Sequence, residues 1–226
     1  MDITFCTLDD VAERTGTVVV IDVLRAFTTA AVAIAAGAGP YGLVSTLDEA
    51  YAAREHDPAV RLLGEVDGRT AEGFDFGNSP TQLEGIDLAG LPIVHRSSAG
   101  TQGVVRATSA DRVLITSFAI ADATARALSA DPAVSFCVTG AHSGRDGEED
   151  RACGEYVAAL LTAGTSDAVD PGPYVDRVAS SDAAALFGVE DLPAEDVPFC
   201  QVVDRFNFAL EVNREEEQHL LRRIDV

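Results

Sequence analysis

A chain of 226 residues is long enough for one large α/β domain, and an apolar share of 47% sets it apart from disordered sequences. Its net charge of −21, from 37 acidic residues against 16 arginines and no lysine, repels phosphate backbones and argues against a nucleic-acid partner. No apolar run reaches the ~18 residues of a membrane span and the first residues lack a signal peptide's regions, so no membrane partner and a cytoplasmic location are expected.

The β-branched run Thr17 to Val23 predicts a buried strand, ended by Asp22 and followed at once by Arg25. Thr28 to Ala36 is Ala-rich and predicts a helix closed by Gly37 and Gly39. Strands follow over 41–45, 61–64, 91–95, 112–116 and 135–139, with helices over 47–55, 120–128 and 148–162. Beyond a polar Gly/Pro connection at 164–173 come helices around 182–187 and 194–203, and an alternating run over 206–212. This is the grammar of an α/β layer fold read as a single domain over 1–226. Four cysteines, Cys6, Cys137, Cys153 and Cys200, form no C-x-x-C pair and are read as reduced thiols. Cys137 is read as a small core residue, and packing is favoured for Cys153.

The stretch Gly64 to Pro80 carries four carboxylates and four glycines and has no apolar period, and a loop of that length is usually functional. Carboxylates among glycines suit a hard cation such as Mg²⁺. Phe74 and Phe76 flank Asp75, which predicts that the rings anchor the loop while the carboxylate points away from them. The plainer alternative is a solvated loop that caps the next helix through Asn78-Ser79-Pro80. Asp22 and Arg25 are read either as a structural ion pair or as an acid beside a fork for an oxyanion. The loop Ser97 to Gly103 is either an anion cradle at a helix N-terminus or an ordinary serine-capped turn. Glu148-Glu149-Asp150 opens a helix, where acids favour the positive end of the dipole. His142 lies in the loop between Gly140 and Gly147 and is read as a general acid or as merely exposed. In open α/β sheets ligands bind outside the strand C-termini, where all these groups fall.

Three segments resemble the 2-phosphosulfolactate phosphatase family: Val18 to Ala31 with its Ile-Asp-Val-Leu-Arg core, Gly64-Glu65, and Glu72 to Pro80 with its Gly-Phe-Asp-Phe-Gly-Asn-Ser-Pro run. The Ser97 to Gly103 loop, the Gly140 to Cys153 segment and Asp191 to Asp204 continue the resemblance in order along nearly the whole chain. It implies a three-layer α/β/α fold with a mostly parallel or mixed sheet, and a Mg²⁺-dependent phosphatase. The implied reaction takes 2-phosphosulfolactate to 3-sulfolactate and phosphate, on the way to coenzyme M. Asp22, Arg25, Glu65 and Asp75 are the catalytic candidates, and Asp22, Glu65, Asp75, Glu149 and Asp150 the metal ligands. The substrate is a small anionic phosphoester, with Arg25, Asn78, Ser79, Ser97, Ser98, Gly100, Thr101, Gln102, Gly103, His142 and Arg145 as its binding candidates. A homo-oligomer stays open, as does a covalent phosphoenzyme on Asp22, Ser97, Ser98 or Cys153. Two departures stand out: the family's loop usually reads Thr-Thr-Asn-Gly-Thr-Arg where this chain has Ser97-Ser-Ala-Gly-Thr-Gln102, and Val66 stands where an arginine is usual. They keep a second reading in view, a non-catalytic protein that binds a phospho-metabolite.

Overall fold

The computed structural model describes residues 1–142, 144–215 and 218–226. Ten strands form one mixed sheet: β1 (Asp2–Thr7), β2 (Thr17–Ile21), β3 (Tyr41–Val44), β4 (Arg61–Val66), β5 (Arg69–Thr70), β6 (Ile93–Arg96), β7 (Arg112–Thr116), β8 (Ala133–Val138), β9 (Phe208–Glu215) and β10 (Gln218–Asp225). Their spatial order is β1-β8-β2-β7-β9-β10-β3-β6-β4-β5. One half, β1-β8-β2-β7, is parallel, and so is the other, β3-β6-β4. The β9–β10 hairpin joins them through antiparallel pairings with β7 and β3, so the two halves run in opposed senses along the ladder.

Twist reconciles those senses. Neighbouring strands rotate by roughly 20–25° per step, and six steps separate β2 from β4. At that average the accumulated rotation is on the order of 120–150°, enough to turn opposed strands back toward a common direction. The C-terminal ends of β2, β4 and β6 can thus serve one pocket.

Strand periodicity then sorts the core. Val18 and Val20 of β2 face one cluster with Leu43, Leu63 and Ile93 of the other half, whereas Val19 and Ile21 face a second cluster. The first cluster takes in residues of α1 (Ala26–Ala35) and α4 (Gly100–Arg106), and α1 packs against α3 (Pro80–Leu83). Ala-rich α1 suits that place because small side chains let it approach both halves. The second cluster packs β2 and β8 under α5 (Ala121–Leu128), α6 (Glu148–Ala163) and α7 (Gly172–Ala179). Leu62 of β4 and Ala50 of α2 (Leu47–His56) build a third, smaller cluster. The sheet is therefore covered on both faces, as expected of an α/β fold. Among the described residues no helix is long and apolar enough to cross a membrane.

Several elements differ from the sequence expectation. The 182–187 helix is a single 3-10 turn at Ala184–Leu186, and the 194–203 helix shortens to α8 (Asp196–Cys200). Helix α7 forms in and after the stretch read as a connection, with Pro171 and Pro173 at its start. Strands β1 and β10 were not expected. β10 is rich in Gln, His and Arg, and it forms because β9 offers eight paired residues across the hairpin.

Candidate active site

A pocket of about 270 Å³ opens where β2, β4 and β6 end. Asp22, Leu24 and Arg25 come from the β2–α1 turn, and Glu65, Asp67 and Gly68 from the β4–β5 hairpin. Asn78 precedes α3, Ser98 and Ala99 precede α4, and His142 and Arg145 follow β8. Ala183, Leu186, Phe187 and Leu192 add an apolar side to the lining.

Asp22 is buried and makes no ion pair among the described residues. One oxygen accepts the N–H of Ala26 (2.9 Å), and Gly100 N–H also donates to the carboxylate. Burial pushes its carboxyl up to about 7, with the charges of Glu65 and Glu149 adding to the effect. Gly100 is required here: a Cβ at that position would stand 2.6 Å from Asp22 Oδ2. Arg25 does not pair with Asp22. Its Nη1 donates to Asp196 Oδ2 (2.8 Å) and to the Asp191 carbonyl (2.9 Å), and its guanidinium lies 5.4 Å above the Phe187 ring.

Glu65 Oε1 accepts Ser98 N–H (2.5 Å), while Oε2 accepts Gly68 N–H (2.7 Å) and the Ser98 hydroxyl (3.0 Å). Gly64 lets β4 run that close to β6, since with φ +140° a Cβ would collide with the Arg96 carbonyl oxygen. Glu149 falls outside the pocket lining; it is buried with Oε2 unpartnered among the described residues, and burial raises its carboxyl above the usual range. Asp150 is tied into the scaffold: Oδ1 accepts Val23 N–H (2.8 Å) and Oδ2 accepts Gly140 N–H (2.7 Å), which joins the ends of β2 and β8. Burial, reinforced by Glu149 and Asp22, lifts its carboxyl well above normal. His142 faces the pocket 2.7 Å from Arg145, and burial, then the arginine's charge, lowers its basicity.

Asp75 is a correction. It lies outside the pocket, where its Oδ2 accepts Leu62 N–H (2.8 Å) and pairs with Arg54. Asp75 N–H and Phe76 N–H both donate to the Leu62 carbonyl, and Gly64 N–H donates to Phe76. The segment thus covers the free edge of β4, and Phe74 packs beside Tyr51 under α2. Ser79 is a second correction: its hydroxyl N-caps α3 and donates to Asp196 Oδ1 (2.9 Å), the plainer reading. Ser97 and Thr101 bond reciprocally across the start of α4, Gly103 packs on Val20, and Gln102 donates to the carbonyls of Ser45 and Ser97. None of these four lines the pocket. The Gln102 departure therefore leaves the Ser98–Ala99 wall in place. Cys153 is buried in the second cluster with its thiol pushed far up by burial, which excludes a ready thiolate. Cys137 lies in the core as expected.

Sequence reasoning missed Asp196, the partner of Arg25, and the apolar wall from Ala183 to Leu192. The available signal was Arg25 itself, since a buried guanidinium demands an acid.

Among the described residues no three His, Cys, Asp or Glu side chains are gathered closely enough to hold a metal ion alone. Mg²⁺ needs only one or two carboxylates, with waters filling the rest of its octahedron. Among the described residues Glu149 Oε2 and Asn78 Oδ1 are buried and unpartnered, and both are hard oxygens. The crowding of Asp22, Glu65 and Glu149 is a like-charge cost that a divalent cation would offset. These residues fit Mg²⁺.

A family model described as 2-phosphosulpholactate phosphatase matches residues 5–214. A Bacillus subtilis protein named "Probable 2-phosphosulfolactate phosphatase" is 29% identical over 209 residues, 91% of each chain. Proteins of the same name from Thermus thermophilus and Deinococcus radiodurans are 32% and 38% identical. The first covers 82% of this chain and 83% of its own, the second 69% and 66%. The chain belongs to the 2-phosphosulpholactate phosphatase family, a family of phosphoric monoester hydrolases.

Proposed function

We propose that the pocket at Asp22 hydrolyses a small anionic phosphomonoester with Mg²⁺ as cofactor, in the cytoplasm. By likeness to the relatives' name, the substrate is 2-phosphosulfolactate, released as 3-sulfolactate and phosphate on the branch toward coenzyme M. One observation carries the reading. An acid with no ion pair among the described residues, Asp22, and a guanidinium fixed by a different acid, Arg25, share one small pocket.

Asp22 and the Asn78 carbonyl, both on the pocket wall, would hold the cation with waters, and Glu149, buried outside the lining, would add negative charge felt at Asp22. Mg²⁺, when bound, neutralises phosphoryl charge and makes a bound water more acidic. Arg25 offers N–H groups to the phosphate oxygens, and its position does not depend on Asp22. Ser98 and Ala99 shape the opposite wall, where the Glu65 carboxylate fixes the Ser98 backbone. Arg145 and His142 stand on the side of β8 and suit a second anionic group of the substrate. Half-exposed Leu186, with Phe187 and Leu192, gives that side of the pocket an apolar rim.

Phosphate release from a panel of phospho-acids including 2-phosphosulfolactate, with Mg²⁺ and with EDTA, tests this. Mg²⁺-dependent turnover of at least one member is expected. No release from any member, together with measurable binding, would favour the non-catalytic phospho-metabolite binder.

A further inference from the structure

We propose that Asp196 is the positioning residue for Arg25: it fixes the guanidinium so that the remaining N–H edge faces the phosphoryl group. This rests on the phosphoester reading of the pocket. Asp196 is fully buried and does not line the pocket, so it acts on a ligand only through another side chain. Its Oδ2 takes Arg25 Nη1 at 2.8 Å. Its Oδ1 takes the hydroxyls of Ser79 (2.9 Å) and Thr81 (2.6 Å) and the Thr81 N–H (3.2 Å). The carboxylate is thus held by the start of α3 before it meets the arginine.

Arg25 is anchored at one end of its guanidinium. Every hydrogen bond its guanidinium makes among the described residues runs through Nη1, to Asp196 and to the Asp191 carbonyl, and Phe187 supports one face. A guanidinium presents its donors in a rigid plane, so anchoring Nη1 aims the Nε–Nη2 edge, the edge that grips two oxygens of a phosphate at once. An arginine without that anchor would keep its charge and lose its aim. Asp22, an acid of the same pocket, would then compete for the freed guanidinium, and pairing with it would disable both groups.

The test compares wild type with Asp196→Asn, Arg25→Gln and the double variant in the presence of Mg²⁺. Inorganic phosphate is titrated by calorimetry, and the Arg25 guanidinium is followed by ¹⁵N NMR. Resolved Nη signals are expected in wild type and merged ones in Asp196→Asn, where rotation about Cζ–Nε is freed. Phosphate affinity is expected to fall about 10- to 100-fold in either single variant, with no further loss in the double variant. Resolved Nη signals in Asp196→Asn, or losses that multiply in the double variant, would overturn the proposal. If Asp196→Asn fails to fold, Thr81→Val loosens the same carboxylate without changing charge and is expected to broaden the same signals. Unchanged signals there count against the proposal. Absence of phosphate binding by wild type would overturn the phosphoester reading, while the NMR readout still decides whether Asp196 fixes Arg25.

Discussion

Glu65 grips Ser98 twice, accepting its backbone N–H at 2.5 Å and its hydroxyl at 3.0 Å, and so fastens the end of β4 to the turn after β6. The same carboxylate takes Gly68 N–H, which fixes the hairpin on the other side of the pocket mouth. Its job in the structure is to hold two walls together. Glu65→Ala is expected to leave these donors unsatisfied at about 1–3 kcal/mol for each one that stays buried. Activity should fall with stability. Urea denaturation beside phosphate-release kinetics checks this, and full stability in the alanine variant would remove the clamp.

Asp75 makes the opposite prediction from the one its sequence invites. Its carboxylate joins Leu62 N–H and Arg54 at the sheet edge, away from the pocket. Asp75→Asn keeps an acceptor for Leu62 and loses a partly exposed ion pair, so a cost of about 1 kcal/mol or less is expected. The Mg²⁺ concentration for half-maximal activity should stay within about twofold of wild type, since second-sphere or ligand losses shift it about tenfold or more. A tenfold shift would return Asp75 to the site.

Asp75 also shows what the sequence could and could not tell. The strands of both parallel halves were legible because β-branched runs such as Thr17 to Ile21 are buried on both faces. The pocket's location at strand ends was legible too, as were Asp22, Arg25, Glu65 and Asn78 on its walls. Which way a loop carboxylate points was not. Asp75 and Glu65 sit in the same glycine-rich stretch, yet strand parity and the Gly64 approach send Glu65 inward while edge pairing holds Asp75 outside. Asp196 was hidden for another reason: its partner lies 171 residues away, and only the folded chain brings them together.

Cys153 stands one helical turn after Glu149 but faces the core beside Tyr156 and Val157. Its thiol is pushed up by burial and by Asp150, the reverse of an activated nucleophile. Cys153→Ala is expected to keep kcat within about threefold, at a cost of about 1 kcal/mol for the small cavity. Iodoacetamide should not inactivate the folded enzyme through this residue. A phosphoenzyme trapped on Cys153 by mass spectrometry would contradict the burial argument.

His95 lies on β6, next to the site strand β4. It is fully buried, its Nδ1 bonds the Tyr41 hydroxyl at 2.9 Å, and among the described residues its Nε2 has no partner. Burial pushes its pKa from 6.5 down to about 3, so the folded protein keeps it neutral. A lowered histidine pKa means that the unfolded chain binds a proton the folded chain refuses. Its contribution is fully present above pH 6.5, falls as pH drops, and stops changing near pH 3. Between neutrality and about pH 5 the loss should be on the order of 2 kcal/mol. The many carboxylates of this acidic chain also titrate lower down, so the measurement is a difference. Urea denaturation of wild type and His95→Gln, at steps from about pH 7 to 5, should show wild type losing stability faster by that amount. Parallel curves would mean that His95 takes up its proton inside the fold, and that its buried, uncharged state is wrong.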